Sequence, residues 1–425
     1  MSRVLDFLVD DRRPLLRSRL GASAQTSSGS LLEVAGGSHA TCIVNDGGAI
    51  RHALSERLAR GLAVGSARGY VNESQLELAE RVMSHAADSD AKVYFTSGGT
   101  EAFETALRLA FHIHALRRQP RRSIVLGHRF SYHGMSIAAR NAGDHPEHAI
   151  GPLGVNYDWP KIDEPLGPSI DRALYAVHSV GADKVAAIVV EPISGTTGGA
   201  VVKHPDYLAG LASLCTEIGA ILIVDEVVTA FGRTGCGLYA GSLQPDIVLG
   251  GKCLTAGYAP LGCVILSGSL CQELRQSHQA VPLRLTFSGN ALSCAAALAV
   301  QEYASRNRLF DTVGSNSTVL GDYLRSASRD LIPDAEVNGI GHLWGVHAPV
   351  RPGLGAAAVA SLKLHAADRG VEFMGGWRRH GERETVHVMV TPAFDLRDEE
   401  LSAVAGAAVT LLSESVTEIT ARVRQ

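Results

Sequence analysis

One pattern constrains this chain of 425 residues more than any other: short apolar runs alternate with stretches of helical spacing. Lys92–Phe95, Ser123–Leu126, Val185–Val190, Ala220–Val224, Ile247–Leu249 and Gly262–Leu266 are continuous and rich in Val and Ile. A strand that is apolar on both faces has to be covered on both. Helical patterns separate most of these runs, so the sequence predicts an α/β fold, with a mostly parallel central sheet covered by helices. Two helical patterns, Leu54–Leu62 and Gln75–Met83, precede the first run. Near residue 325 the alternation breaks down, and the remainder reads as a smaller α+β unit ending in a helix over Asp398–Arg424. A chain this long outgrows one core. The expected division is residues 1–54, contributing to the small domain, then 55–325 as the large domain and 326–425 as the small one.

Sheets of this kind carry their chemistry at the carboxyl ends of the strands. The first such end is Thr96-Ser97-Gly98-Gly99-Thr100, with a long helix expected from about Glu101. Glycines let a backbone approach a ligand, and the free N–H groups and dipole of a new helix bind phosphate. Ser97 and Thr100 add hydroxyl donors. The same residues also read as a tight turn with a threonine cap, and they match neither the dinucleotide fingerprint nor the Walker lysine motif.

At the next end an apolar strand delivers Asp225. A buried carboxylate needs a cation or a strong donor. A pyridinium N–H is one such partner; capping the following segment is the other reading. Val227, one pleat further on, is expected to face the same cleft, and Glu226 has no derivable role. Lys252 follows an apolar strand and two glycines. Most lysines are solvated, but one desolvated at a strand end becomes an amine nucleophile for an aldehyde. Tyr132 and His133 follow the Ser123–Leu126 run, where an aromatic ring stacks on a flat ligand or packs in the core.

Composition excludes several classes. The net charge is -4 and no basic block stands out, so nucleic acid is not an expected partner. No apolar run is long enough to span a membrane. The seven cysteines form no CxxC pair, and Asp6, Asp10 and Asp11 interrupt any leader core, which reads as a reduced, cytoplasmic protein. No metal is expected. His112 and His114 cannot face one ion from a helix, and His145 and His148 sit in a polar loop without further ligands.

Taken in order, SGGTEA, YHG, VEPI, DEVVTAFGRTG, GGK and TFSGN resemble the class-III aminotransferases of pyridoxal-5'-phosphate (PLP) fold type I, over roughly residues 55–300. That resemblance implies that Gly98, Gly99 and Thr100 hold the cofactor phosphate. Tyr132 and Val227 would take the two faces of the pyridine ring, and Asp225 its nitrogen. Lys252 would be the Schiff-base lysine and proton shuttle. Glu191 would join the hydrogen bonds beside the cofactor. Thr286 would reach the phosphate of the neighbouring subunit, which makes the expected protein a homodimer acting on small amine and keto substrates by a ping-pong reaction. Aminomutase, epimerase and decarboxylase chemistry would use the same residues, and Ser288-Gly289-Asn290 is similar to the aminomutase branch. Ornithine- and GABA-type members carry an acid where this chain has Thr196, a glutamine where it has Val228, and an arginine where it has Met389. Substrate recognition is therefore expected not to rest on a glutamate–arginine pair, with Arg378, Arg379 and Arg383 as the nearby replacements.

Overall fold

The computed structural model describes residues 15–62, 70–145, 157, 159–165, 167–281 and 283–422. The three N-terminal aspartates and His148 lie outside them.

Seven strands form the central sheet, in the order Lys92–Thr96, Gly262–Leu266, Ile247–Gly250, Ile221–Asp225, Val185–Val190, Ile124–His128, Lys161–Ile162. The pairings from Ile247–Gly250 to Lys161–Ile162 are all parallel, and Gly262–Leu266 runs antiparallel to both its neighbours. The expected strands fall within two residues of the observed ones. Coverage on both faces explains their unbroken apolar runs. Ile221 and Ile223 pack with Phe103 and Leu109 of helix Gly99–Leu116, whereas Leu222 and Val224 pack with Tyr207 and Leu211 of helix Pro205–Ile218. Each such side chain contributes roughly 1.5–3 kcal/mol by leaving water.

A second, antiparallel sheet joins Glu336–Ile340, Leu343–Val350, Arg383–Val390 and Met374–His380. Helices Leu309–Leu331, Gly355–Arg369 and Asp398–Arg422 enclose its core, which includes Leu324, Leu362, Val388 and Val409. The first of these helices runs unbroken across residue 325. A third sheet was not legible in the weakly patterned N-terminal stretch. Leu16–Leu20, Ser23–Thr26 and Gly29–Glu33 form a meander, and Val371–Glu372 adds to its edge in parallel.

The helix expected over Leu54–Leu62 spans Ala49–Ala59 instead. Its start is set by Gly48 in the left-handed region (φ 88°) and by Asp46, whose carboxylate accepts the Ile50 N–H at 2.8 Å. No helix among the described residues is long and apolar enough to cross a membrane.

Candidate active site

Parallel strands bring their carboxyl ends to one edge of the sheet. There Ser97, Tyr132, Glu191, Asp225 and Lys252 line a cleft of about 470 Å³, a volume suited to a small ligand. The long helix after Thr96 begins at Gly99, with Gly98 as its cap residue. A Cβ on Gly98 would meet nothing within 4 Å, so the backbone borders open space. Beneath it Gly262 is obligatory, because a Cβ there would lie 2.7 Å from the Gly98 carbonyl group. Gly134 of YHG is held at φ 127°, and a Cβ would meet the Thr100 hydroxyl at 2.5 Å.

Asp225 is the last residue of its strand and shares a face with Ile221 and Ile223, towards helix Gly99–Leu116. Its Oδ2 lies 2.8 Å from Nδ1 of buried His133, whose ring stacks on Phe103 at 5.3 Å between centroids. Its Oδ1 accepts the Val227 N–H at 3.1 Å. Asp225 therefore caps its own turn and also faces the cleft. Val227 reaches the cleft by that turn and not by the pleat, since the strand has already ended. Its methyls press on the glycine loop, where a Cβ on Gly99 would touch them at 3.0 Å.

Lys252 opens a short 3-10 turn with φ 45°, a conformation unusual for a side-chain-bearing residue. It borders the cleft, yet surrounding protein desolvates its amine. Burial lowers its proton affinity, while Asp225 and Glu191 oppose that shift. Glu191 is buried, accepting N–H bonds from Gly195 at 2.9 Å and Tyr132 at 3.3 Å. Burial raises its pKa. The half-buried Tyr132 lines the same wall. Thr286 is exposed and does not line this cleft within its own chain.

Three residues passed over in the sequence turn out to organise the site. Glu226 is fully buried and accepts from the N–H groups of Tyr239 and Ala240 and from the Thr229 hydroxyl, at 2.7–2.9 Å. It folds the segment after Asp225 back on itself. Arg233 is buried and ties that segment to the carbonyls of His39, His342 and Pro392. His39 ends a left-handed turn in which Gly36, Gly37, Ser38 and His39 all have φ between 53° and 66°. Its ring bonds Thr391 and Thr196, each at 2.8 Å. Only the paired glycines of Gly36-Gly37 hinted at that turn.

The substrate side departs from expectation. Met389 does not face the cleft; it is buried against Ile193, Ala200 and Leu343. Thr196 is occupied by His39, and its carbonyl accepts from His387 at 2.6 Å. Arg378 and Arg383 border a different cavity, beside Glu164 and Glu336, and Arg383 pairs with Glu336 at 2.7 Å. Arg379 lies on the same hairpin and bonds the Gly381 carbonyl.

The chemistry of the donor set fits PLP. A helix start with two hydroxyls and open backbone suits a phosphate. A buried carboxylate at the far wall suits a pyridinium, and a desolvated amine suits an aldehyde.

Comparisons with known proteins bear on the family and the fold. The family model described as aminotransferase class-III matches residues 30–407. A Mycobacterium tuberculosis protein named as a probable aminotransferase is 31% identical over 294 residues, covering 65% of this chain and 63% of its own length. Among solved structures, a transaminase from the marine bacterium Virgibacillus superposes with a TM-score of 0.86 at 20% identity, over 97% of this chain and 94% of that one. An (S)-enantioselective omega-transaminase from Thermomicrobium roseum superposes with a TM-score of 0.80 at 25% identity, over 95% and 93%.

Proposed function

Since the chain belongs to the class-III aminotransferases, a PLP-dependent family, we propose that it moves an amino group from an amine or amino-acid donor to a carbonyl acceptor. The observation that carries this reading is the convergence of Lys252, Asp225 and the Ser97–Thr100 helix start on one cleft. When bound, PLP supplies an aldehyde and an electron-accepting ring. Ser97, Gly98, Gly99 and Thr100 would hold the phosphate. Asp225, oriented by His133, would keep the ring nitrogen protonated. Tyr132 and Val227 would enclose the ring, and Glu191 holds the Tyr132 backbone. The Lys252 amine would hold the cofactor and, when free, would take the proton from the substrate Cα and return it from Nζ. Donor and acceptor use the cleft in turn, which gives ping-pong kinetics.

A homodimer belongs to the same proposal, with Thr286 serving the partner's site. Phe287 is 64% exposed, Tyr70 83% and Leu76 58%. They lie where helices Glu73–Met83 and Ala291–Arg306 pack together, and Asn72 bonds the Gly289 carbonyl there at 2.8 Å. Apolar residues gathered in this way favour a partner surface. A cytoplasmic location accords with seven unpaired cysteines. A large and a small domain accord with the sheets, but helices Ala49–Ala59 and Leu309–Leu331 run across residues 54 and 325, so we place the boundaries at the ends of those helices. The central strands fall between 92 and 266, and those of the second sheet between 336 and 390.

Borohydride reduction of the holoenzyme followed by peptide mapping is the test. We expect the pyridoxyl label on Lys252, and Lys252→Ala to fold without label or turnover. A label elsewhere, or full activity in that variant, refutes the assignment. Donor added alone should convert all the enzyme to the amine form of the cofactor; failure to convert would favour mutase, epimerase or decarboxylase chemistry.

A further inference from the structure

The hairpin of the second sheet, Met374–His380 with Arg383–Val390, has two faces of different chemistry. Successive residues of a strand point to opposite sides. Val386, Val388 and Val390 enter the apolar core beneath the helices, and Trp377 packs against it. Thr385 and His387 point the other way, towards the large domain, where His387 bonds the Thr196 carbonyl at 2.6 Å. Arg378 is the register partner of Thr385. Residues paired in this way are neighbours on one face of a sheet.

Where this polar face meets the large domain there is a cavity of about 310 Å³. The hairpin contributes Arg378 and Thr385 to its wall, and the large domain contributes Phe130, Glu164, Pro165 and Val201. Among the described residues none borders both this cavity and the cleft of Lys252. Two polar groups on the wall are unmet. Thr385 is 5% exposed, and its Oγ1 has no hydrogen-bond partner. Arg378 is half-buried and makes no hydrogen bond or ion pair among the described residues. The nearby acids are already engaged, Glu336 by Arg383 at 2.7 Å and Glu164 by Lys203 at 3.6 Å. Arg172, with Nη1 3.3 Å from the His380 ring, brings another positive charge to the same rim. Positive charge is therefore in excess around the cavity, and the Arg378 fork is its free end.

A desolvated guanidinium without a counter-ion is a costly arrangement, and a planar oxyanion relieves it by accepting two parallel N–H bonds. The Thr385 hydroxyl, beside it on the sheet, supplies one further donor. Glu164 and Glu336 stand close enough to act on Arg378 electrostatically, so a singly charged anion suits the cavity better than a doubly charged one. Phe130, Pro165 and Val201 offer an apolar surface to the rest of the ligand. We propose that this cavity is a binding site for a small aliphatic monocarboxylate, with its carboxylate held by Arg378 and Thr385 and its hydrocarbon part against Phe130, Pro165 and Val201. The site stands apart from the cleft of Lys252 and does not depend on the chemistry assigned there. Its walls come from both the second sheet and the large domain, so an occupant would bridge the two.

The test uses holoenzyme and butyrate as the probe. Titration calorimetry on the wild-type protein should show millimolar or tighter binding. Arg378→Gln should weaken it by about tenfold or more, as expected for a lost charged hydrogen bond. Thr385→Val, which keeps the shape and removes the hydroxyl, should weaken it by a smaller factor. Phosphate at matched ionic strength should bind less tightly than butyrate. A second measurement needs no variant: butyrate should protect Arg378 of the wild-type protein from phenylglyoxal, read by peptide mass mapping, so the proposal is decided even if Arg378→Gln does not fold. Absence of butyrate binding overturns the proposal. So does equal affinity in Arg378→Gln, or an Arg378 that butyrate leaves unprotected, since either places the probe elsewhere, as in the cleft of Lys252. Phosphate binding more tightly than butyrate would overturn the monocarboxylate assignment.

Discussion

Asp225 shows how much one side chain's meaning depends on its neighbours. It is 7% exposed, with His133 on one oxygen and the Val227 N–H on the other. A pyridinium at the cleft wall would complete its partners. Asp225→Ala would then leave that cation buried and unpaired, at a cost of about 3–5 kcal/mol. We expect the loss to divide between weaker PLP retention on dialysis and slower proton abstraction in a single half-reaction. Wild-type retention and rate would reduce Asp225 to a turn cap. Lys252 makes the same point from the opposite side. A lysine is ordinarily solvated, and the φ of 45° that turns this one into the cleft is accepted only where surrounding structure imposes it.

At the scale of elements, the site depends on two segments that are not strands or long helices. One is the stretch after Asp225, gathered around the Glu226 carboxylate. The other is the left-handed turn Gly36–His39, whose exposed N–H groups form a concave anion site. The occupant is Glu372, which accepts from Ala35 at 3.1 Å and from the Gly37 and Ser38 N–H groups. Left-handed residues are costly for side chains such as Ser38 and His39, and this carboxylate helps to offset the cost. Glu372→Ala should leave the N–H of buried Ala35 unmet, destabilising the protein by about 1–3 kcal/mol. Urea unfolding would report it as a lower midpoint at unchanged slope. An unchanged midpoint would show that water serves the turn as well as Glu372 does.

Two predictions belong to the whole molecule. His342, His347 and His387 are buried where the second sheet meets the site, bonded to the carbonyls of Ala393, Gly199 and Thr196. Burial depresses all three, His387 to about 4 and His342 to about 3. The unfolded chain takes up these protons near the ordinary 6.5. Between about pH 6.5 and 4 it therefore binds more protons than the folded chain, and stability rises with pH across that window. Melting temperature should fall on acidification from neutral pH to pH 4, with His387 contributing up to roughly 3 kcal/mol. His387→Gln should flatten part of the slope; an identical slope in that variant would remove His387 from the explanation. The second prediction tests assembly. Mixing Lys252→Ala with Thr286→Asp subunits should yield hybrid dimers in which one site has both an intact Lys252 and the partner's intact Thr286. Recovered activity in the mixture is the expected result, and a stable, active monomer would sink the idea.

The sequence by itself determined the central sheet and the edge at which the cleft opens. Val185–Val190 and Ile221–Asp225 are apolar on both faces because helices cover both, and a period of that kind is local. The glycines before Lys252 and after Ser97 are local too, since they answer to the backbone of their own turn. Only the tertiary structure decided the rest. Nothing near Glu226 in the chain announces donors at Tyr239 and Ala240, and nothing near His39 announces hydroxyls at Thr196 and Thr391. The reversed strand Gly262–Leu266 is as apolar as its parallel neighbours, so its direction carried no signal. The fate of Met389, buried against Ile193 and Leu343, and of Arg378, turned to a separate cavity, was set by which face of a hairpin met which layer. A periodicity reports that a residue is buried; which distant group it is buried against is a property of the closed chain.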